Sequence, residues 1–106
     1  MIQLSFYVAD SHVEKVKQAV FNAGGGKLGN YSDVCWQTLG EGQFKPLAGS
    51  QPYLGENNQL TKVKEFKVEL LCDESCITEV VNAMKNAHPY EEPAYQIFKL
   101  FQRVST

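Results

Sequence analysis

The chain has 106 residues, of which 43% are hydrophobic, and its formal net charge is -2 at pH 7. A chain of this length can bury one hydrophobic core, so we predict a single domain over residues 1–106. Basic and acidic residues are interspersed and form no basic stripe, which argues against nucleic-acid binding.

Export and membrane insertion are also not expected. Residues 1–8 alternate apolar with polar side chains and lack the basic start and long apolar run of a signal peptide. No apolar stretch reaches membrane-spanning length. The three cysteines Cys35, Cys72 and Cys76 form an odd set, which favours reduced thiols over a disulfide framework. We therefore expect a cytoplasmic protein whose cysteines are small core residues, with a reactive Cys76 as the alternative.

The first third of the chain predicts a strand, a helix and a second strand. Apolar residues alternate over residues 2–8, which is the period of a strand with one buried face. Ser11 and Glu14 stand at capping-box spacing, and valines then recur at helical intervals. The glycines at 24–26 are expected to end this helix. Residues 33–39 have the composition of a strand.

The last part of the chain predicts a strand, a helix and a final strand. Residues 63–72 alternate apolar and charged side chains, as a half-buried strand does. Asp73 or Ser75 is expected to cap a helix whose apolar face repeats until Pro89. Residues 95–101 supply the last strand. The resulting β-α-β-β-α-β order predicts an α+β, ferredoxin-like fold with two helices on one face of an antiparallel sheet.

A long connection, residues 40–61, separates the second and third predicted strands. It is too long for a hairpin turn, and its apolar residues Phe44, Leu47 and Tyr53 argue against disorder. We interpret it as an arm that contacts another part of the protein or of its assembly. The sheet face without helices also needs cover. Both features predict a homo-oligomer, either a dimer or a trimer.

The most distinctive segment is HPYEEP at residues 88–93, which we call the corner. Its prolines keep the preceding residues, His88 and Glu92, out of the α region and make the segment extended and stiff. One interpretation is a divalent-cation site in which His88 and Glu91 are metal ligands. The other, which we favour, is a structural corner. In it His88 and Tyr90 satisfy buried polar groups, and a glutamate accepts backbone N–H bonds from residues 29–30.

Several motifs together resemble a known family: KLGNYSDVCW at 27–36, GEGQFKP at 40–46, and HPYEEPAY at 88–95. They are similar to the domain inserted in YqfO-type proteins of the NGG-interacting-factor-three-like family. The resemblance implies a CutA/PII-like fold and a stand-alone accessory domain. The halves that carry a dinuclear metal site in that family have no counterpart here. With only His12 and His88 as imidazoles, the chain does not support transfer of that metal-dependent activity.

No nucleophile, base and orienting group can be combined into a catalytic set, so we assign no catalytic residue. We predict a non-catalytic, accessory or regulatory binding domain that responds to a metal ion or a small ligand in a subunit cleft. A metal-dependent hydrolase using His88 with Glu91 or Glu92 is one alternative, and a purely protein-binding adaptor is another. The predicted ligand-binding residues are Gly29, Asn30, Tyr31, Tyr90 and Glu92.

Overall fold

The computed structural model describes residues 1–101, and its elements follow the predicted order. The strands are β1 (Ile2–Ala9), β2 (Trp36–Phe44), β3 (Thr61–Cys72) and β4 (Tyr95–Lys99), and the helices are α1 (Val13–Asn22) and α2 (Ile77–Ala87). The sheet order is β2-β3-β1-β4, and every neighbouring pair is antiparallel. This is the ferredoxin-like arrangement that the sequence predicts. No helix within residues 1–101 is long and apolar enough to cross a membrane.

The core lies between the two helices and one face of the sheet. Phe6 pairs with Val68 and Leu4 with Leu70 across the two central strands, and all four side chains are buried. Burying one such side chain contributes on the order of 1.5–3 kcal/mol. The helices add the buried residues Val13, Val16, Val20, Val80, Val81 and Met84. The opposite sheet face, which we call the open face, is covered by no helix formed by residues 1–101.

Both predicted helix caps are wrong, although the helices themselves are present. The Ser11 hydroxyl lies 2.8 Å from Nδ1 of His12 instead of capping α1 with Glu14 as its partner. Neither Asp73 nor Ser75 makes a capping bond to α2. A short 3₁₀ turn, Glu74–Cys76, precedes α2 and explains the missing cap. It delays the start of α2 and moves the Asp73 and Ser75 side chains away from the first N–H groups of the helix.

The second strand begins and ends later than the sequence predicts. It runs to Phe44, which pairs with Thr61, so β2 and the start of β3 form a two-stranded ribbon that continues beyond β1. The predicted arm is therefore strand up to Phe44 and a loop only over residues 45–60, which we call the arm loop. Gly40 and Gly42 concealed the strand from sequence analysis, because glycine disfavours strand interiors. At the other end of the chain, β4 stops at Lys99 instead of reaching residue 101.

Candidate functional site

His88 ties the corner to the end of the sheet. The ladder between β1 and β4 ends at the pair Phe6 and Tyr95, so the carbonyl of Tyr7 lies one residue beyond it. His88 Nε2 lies 2.6 Å from that carbonyl, and His88 Nδ1 accepts the N–H of Tyr90 at 3.1 Å. These partners assign the ring proton to Nε2. The side chain is 7% exposed, and both ring nitrogens are occupied.

The burial of His88 makes the fold sensitive to acid. Desolvation lowers the pKa of His88 below its ordinary value, although the bond to the Tyr7 carbonyl acts in the opposite direction. Below about pH 6.5 the unfolded chain therefore takes up a proton that the folded chain does not, and the free energy of unfolding falls as the pH falls. We expect thermal melts between pH 7.5 and 5 to show a steeper loss of stability in the wild type than in His88→Gln. Parallel curves for the two proteins would contradict this assignment.

The arm loop folds back onto the corner of its own chain. The backbone N–H of Gln51 donates to Glu91 Oε1 at 3.0 Å. The ring of Tyr53 lies 6.4 Å from the ring of Tyr90, and the ring of Phe44 lies 6.2 Å from it on the β2 side. Glu91 therefore holds the arm loop in place, which is a role that the sequence does not predict.

A pocket of about 260 Å³ lies between the arm loop, the corner and the β2–β3 ribbon. Its walls are largely apolar and aromatic, and the corner residues Tyr90, Glu91 and Glu92 form one side. The remaining wall residues include Phe44, Pro46, Pro52, Tyr53, Leu54 and Val63. An apolar cavity with a few polar groups is the usual form of a small-molecule site.

Glu65 is the acidic group that β3 contributes to this pocket. It stands on β3 opposite Gly40, and its carboxylate extends over Gly42, where any Cβ would collide with it. The hydroxyl of Tyr90 donates to Glu65 Oε2 at 3.2 Å. Burial raises the pKa of Glu65, and the Tyr90 bond lowers it by less. Burial, together with the nearby Glu65 charge, raises the pKa of Tyr90 to about 12, so Tyr90 is a stable donor at neutral pH.

The predicted ligand-binding residues are divided between two places in the chain. Tyr90 and Glu92 line the pocket. Residues 29–31 come soon after Gly26, which lies beside the other end of β3, where its N–H donates to the carbonyl of Leu71. Leu71 is six residues from Glu65 on β3, which corresponds to roughly 20 Å along a strand. One chain therefore does not bring the two groups together, and their meeting in one site would require a second subunit.

The predicted metal ligands are likewise not grouped. His88 uses both ring nitrogens within the chain, and Glu91 accepts from the arm loop. Across residues 1–101, no three His, Cys, Asp or Glu side chains form a group that could hold a metal ion. The metal site therefore stays a prediction, and further ligands would have to come from another chain.

The sequence predicts that the arm and the corner line a cleft, but it does not predict Glu65 as a site residue or identify which arm-loop residues form the pocket wall. Glu65 belongs to a strand of alternating charge, which is typical of a solvated surface. A signal was nevertheless present in Gly40 and Gly42, because glycines within a strand often mark the close approach of another group. The strand register that places Glu65 beside them is not readable from the sequence.

Comparison with known proteins gives close relatives over almost the whole chain, although no family model matches it. The chain is 41% identical over 100 residues to the GTP cyclohydrolase 1 type 2 homolog of Bacillus subtilis, and 44% identical over 94 residues to that of Mycobacterium leprae. The alignments cover 94% and 89% of this chain but 27% and 24% of those proteins. The chain thus spans about a quarter of the length of these relatives.

Solved structures agree with this relationship. A Bacillus cereus protein related to NIF3 is 35% identical in sequence to this chain. Its crystal structure superposes on the chain with a TM-score of 0.81, over 95% of this chain and 26% of that protein. CutA of Archaeoglobus fulgidus is 13% identical, with a TM-score of 0.65 over 98% of this chain and 88% of CutA. GlnK of B. subtilis is 14% identical, with a TM-score of 0.60 over 93% and 83% of the two chains. The chain is a relative of the domain inserted in YqfO-type, NGG-interacting-factor-three-like proteins, and it has the CutA/PII-like fold.

Proposed function

We propose that this domain is a non-catalytic, cytoplasmic accessory or regulatory module that binds a small ligand in the pocket between the arm loop and the corner. The observation that carries the proposal is the pocket itself, of about 260 Å³ with aromatic walls. The relatives also support an accessory role, because they match this chain over only about a quarter of their length. The activity of those longer proteins is not part of the proposal.

The hydrogen bonds of the corner favour a small molecule over a metal ion as the ligand. A metal held by His88 and Glu91 would require both side chains to leave their present partners. His88 would give up the Tyr7 carbonyl or the Tyr90 N–H, and Glu91 would give up the Gln51 N–H. Leaving a part-buried partner of His88 unpaired costs about 1–3 kcal/mol, whereas the bond between Gln51 and Glu91 is exposed to solvent and costs less to break. The same cost weighs against a hydrolase that uses these two residues.

The open face supports the homo-oligomeric part of the proposal. Trp36, on an edge strand of this face, is 68% exposed, and Phe98 on the other edge strand is 50% exposed. Exposed apolar side chains on an uncovered sheet face are typical of protein interfaces. A second copy of the chain would cover them, as a dimer or as a trimer.

Two tyrosine variants distinguish the pocket from the loop at residues 29–31. We expect 2-phenylethanol, a small neutral aromatic compound, to shift the backbone amide NMR signals of pocket residues in the wild type. Tyr53→Ala removes one aromatic wall of the pocket. It should weaken binding several-fold, because one aromatic contact contributes about 0.5–1.5 kcal/mol. Tyr31→Ala changes a side chain that is 74% exposed and outside the pocket, so it should bind as the wild type does.

The reverse pattern would place the ligand at the loop instead. If Tyr31→Ala loses binding and Tyr53→Ala keeps it, the pocket is not the site. If the wild type shows no shift at pocket residues, the proposal loses its main support and a protein-binding adaptor becomes the better description. Melting curves of the two variants check that both are folded.

A further inference from the structure

The pocket carries charge of one sign. Its acidic lining residues are Glu65, Glu91 and Glu92, and within residues 1–101 no lysine, arginine or histidine lines it. Nearby Lys64 is directed to Asp10, with 3.9 Å between Nζ and Oδ2. A cleft lined by one sign of charge attracts ligands of the opposite sign. Nucleotides and other phosphate compounds are therefore poorly suited to this pocket.

Glu65 is the carboxylate that a ligand would meet inside the pocket. Within residues 1–101, Tyr90 supplies the one hydrogen bond that it accepts, and no cationic side chain pairs with it. A carboxylate that is partly withdrawn from water without a cationic partner destabilises the fold. Its chain nevertheless makes room for it, with Gly40 opposite and Gly42 beneath. Such an arrangement is expected where the missing partner is a ligand.

The aromatic walls suit the same kind of partner. Phe44 and Tyr53 both lie within 6.4 Å of the Tyr90 ring, measured between ring centroids. Aromatic faces attract cations, and they also pack against apolar groups. Tyr90 connects the two features, because its ring belongs to the wall while its hydroxyl binds Glu65.

We infer that the pocket binds a small organic ammonium compound, with its apolar body between the aromatic walls and its ammonium group against Glu65. This inference rests on the proposed function and adds the chemical class of the ligand. The ammonium group donates to the free positions of the carboxylate and supplies the positive charge that residues 1–101 do not place there. Glu91 and Glu92 at the corner strengthen the attraction from a greater distance.

A charge series on one aromatic scaffold tests the inference. The probes are 2-phenylethylamine, 2-phenylethanol and 3-phenylpropionate, titrated at pH 7.5 while the amide NMR signals of the pocket are followed. We expect the amine to bind on the order of tenfold more tightly than the alcohol, because a hydrogen bond between charged groups contributes more binding free energy than one from a neutral hydroxyl. The anion should cause no shift at pocket residues.

Glu65→Gln is the decisive variant, because it removes the charge and keeps an acceptor for Tyr90. It should bind the amine and the alcohol with equal affinity. Glu69→Gln is the matched control on the same strand and the same face, outside the pocket, and it should keep the preference for the amine. Gly42→Ala is a second variant, in which the new methyl group displaces the Glu65 carboxylate, and it should also lose the preference.

Stability separates a binding role for Glu65 from a structural one. Because burial raises the pKa of Glu65 in the folded chain, ionisation at neutral pH opposes folding. Glu65→Gln should therefore melt at the same temperature as the wild type or higher, while it loses the amine preference. A lower melting temperature would indicate a structural carboxylate and count against the inference.

The outcomes also separate this inference from the proposed function. If the wild type binds the amine and the alcohol equally well in the pocket, the ammonium inference is wrong and the pocket remains a ligand site. Tighter binding of 3-phenylpropionate would overturn it in the same way. If none of the three compounds shifts the pocket signals, both the inference and the small-ligand proposal fail.

Discussion

Replacing His88 with alanine is expected to lower the free energy of unfolding by about 2–4 kcal/mol, with or without metal present. The substitution leaves the Tyr7 carbonyl and the Tyr90 N–H without their partners and opens a cavity at a position that is nearly fully buried. Urea denaturation of the metal-stripped protein, followed by tryptophan fluorescence or circular dichroism, measures the change.

His12→Ala is the matched control, since it removes the other imidazole of the same chain. His12 is half-buried and contacts the Ser11 hydroxyl and the ring of Tyr53. Its loss should cost less than about 1 kcal/mol, as for most surface substitutions. If His88→Ala keeps wild-type stability and loses bound zinc or cobalt, His88 is a metal ligand and the structural assignment is wrong.

Replacing Gly26 with alanine is expected to cost more than about 3 kcal/mol, through backbone strain together with overpacking. Gly26 has φ +76°, and an added Cβ would lie 2.8 Å from Phe21 Cε1 and from the carbonyl oxygen of Val34. Its N–H donates to Leu71 and its carbonyl accepts from Val34, so the backbone has no room to move aside. The urea midpoint should fall sharply.

Gly29→Ala provides the comparison for Gly26→Ala. Gly29 also has positive φ, +56°, but no atom lies within 4 Å of where its Cβ would be. Only the backbone conformation is then penalised, by about 1–2 kcal/mol. Equal losses of stability in the two variants would show that the close packing around Gly26 is not what holds the end of α1 against β3.

The fold was predictable because local signals agree with each other over most of the chain. Alternation over residues 2–8 and 63–72, and valines at helical spacing, identify elements whose one face is buried. The extended conformation of His88, with ψ 137°, follows from Pro89. The extent of β2 was not predictable, because pairing with β3 overrides the poor strand propensity of Gly40 and Gly42.

The candidate site was predictable only where it lies in one sequence motif. Tyr90, Glu91 and Glu92 were identified because two prolines and four polar or aromatic residues are adjacent in the chain. Glu65 depends on a strand register that places it opposite Gly40, and Tyr53 depends on the arm loop returning to the corner. Contacts between distant parts of the chain leave no fixed spacing in the sequence. The role of residues 29–31 in ligand binding stays a prediction.

The most direct test of the account is light scattering on the metal-stripped protein, repeated after addition of zinc, cobalt or copper, with bound metal quantified in the eluted peak. We predict a homo-oligomer of defined mass that forms without metal and retains none in stoichiometric amount. Such a result would leave the pocket beside the corner as the ligand site to be examined with ammonium compounds. A monomer, or an oligomer that keeps one metal ion per chain and loses it in His88→Gln, would contradict the account.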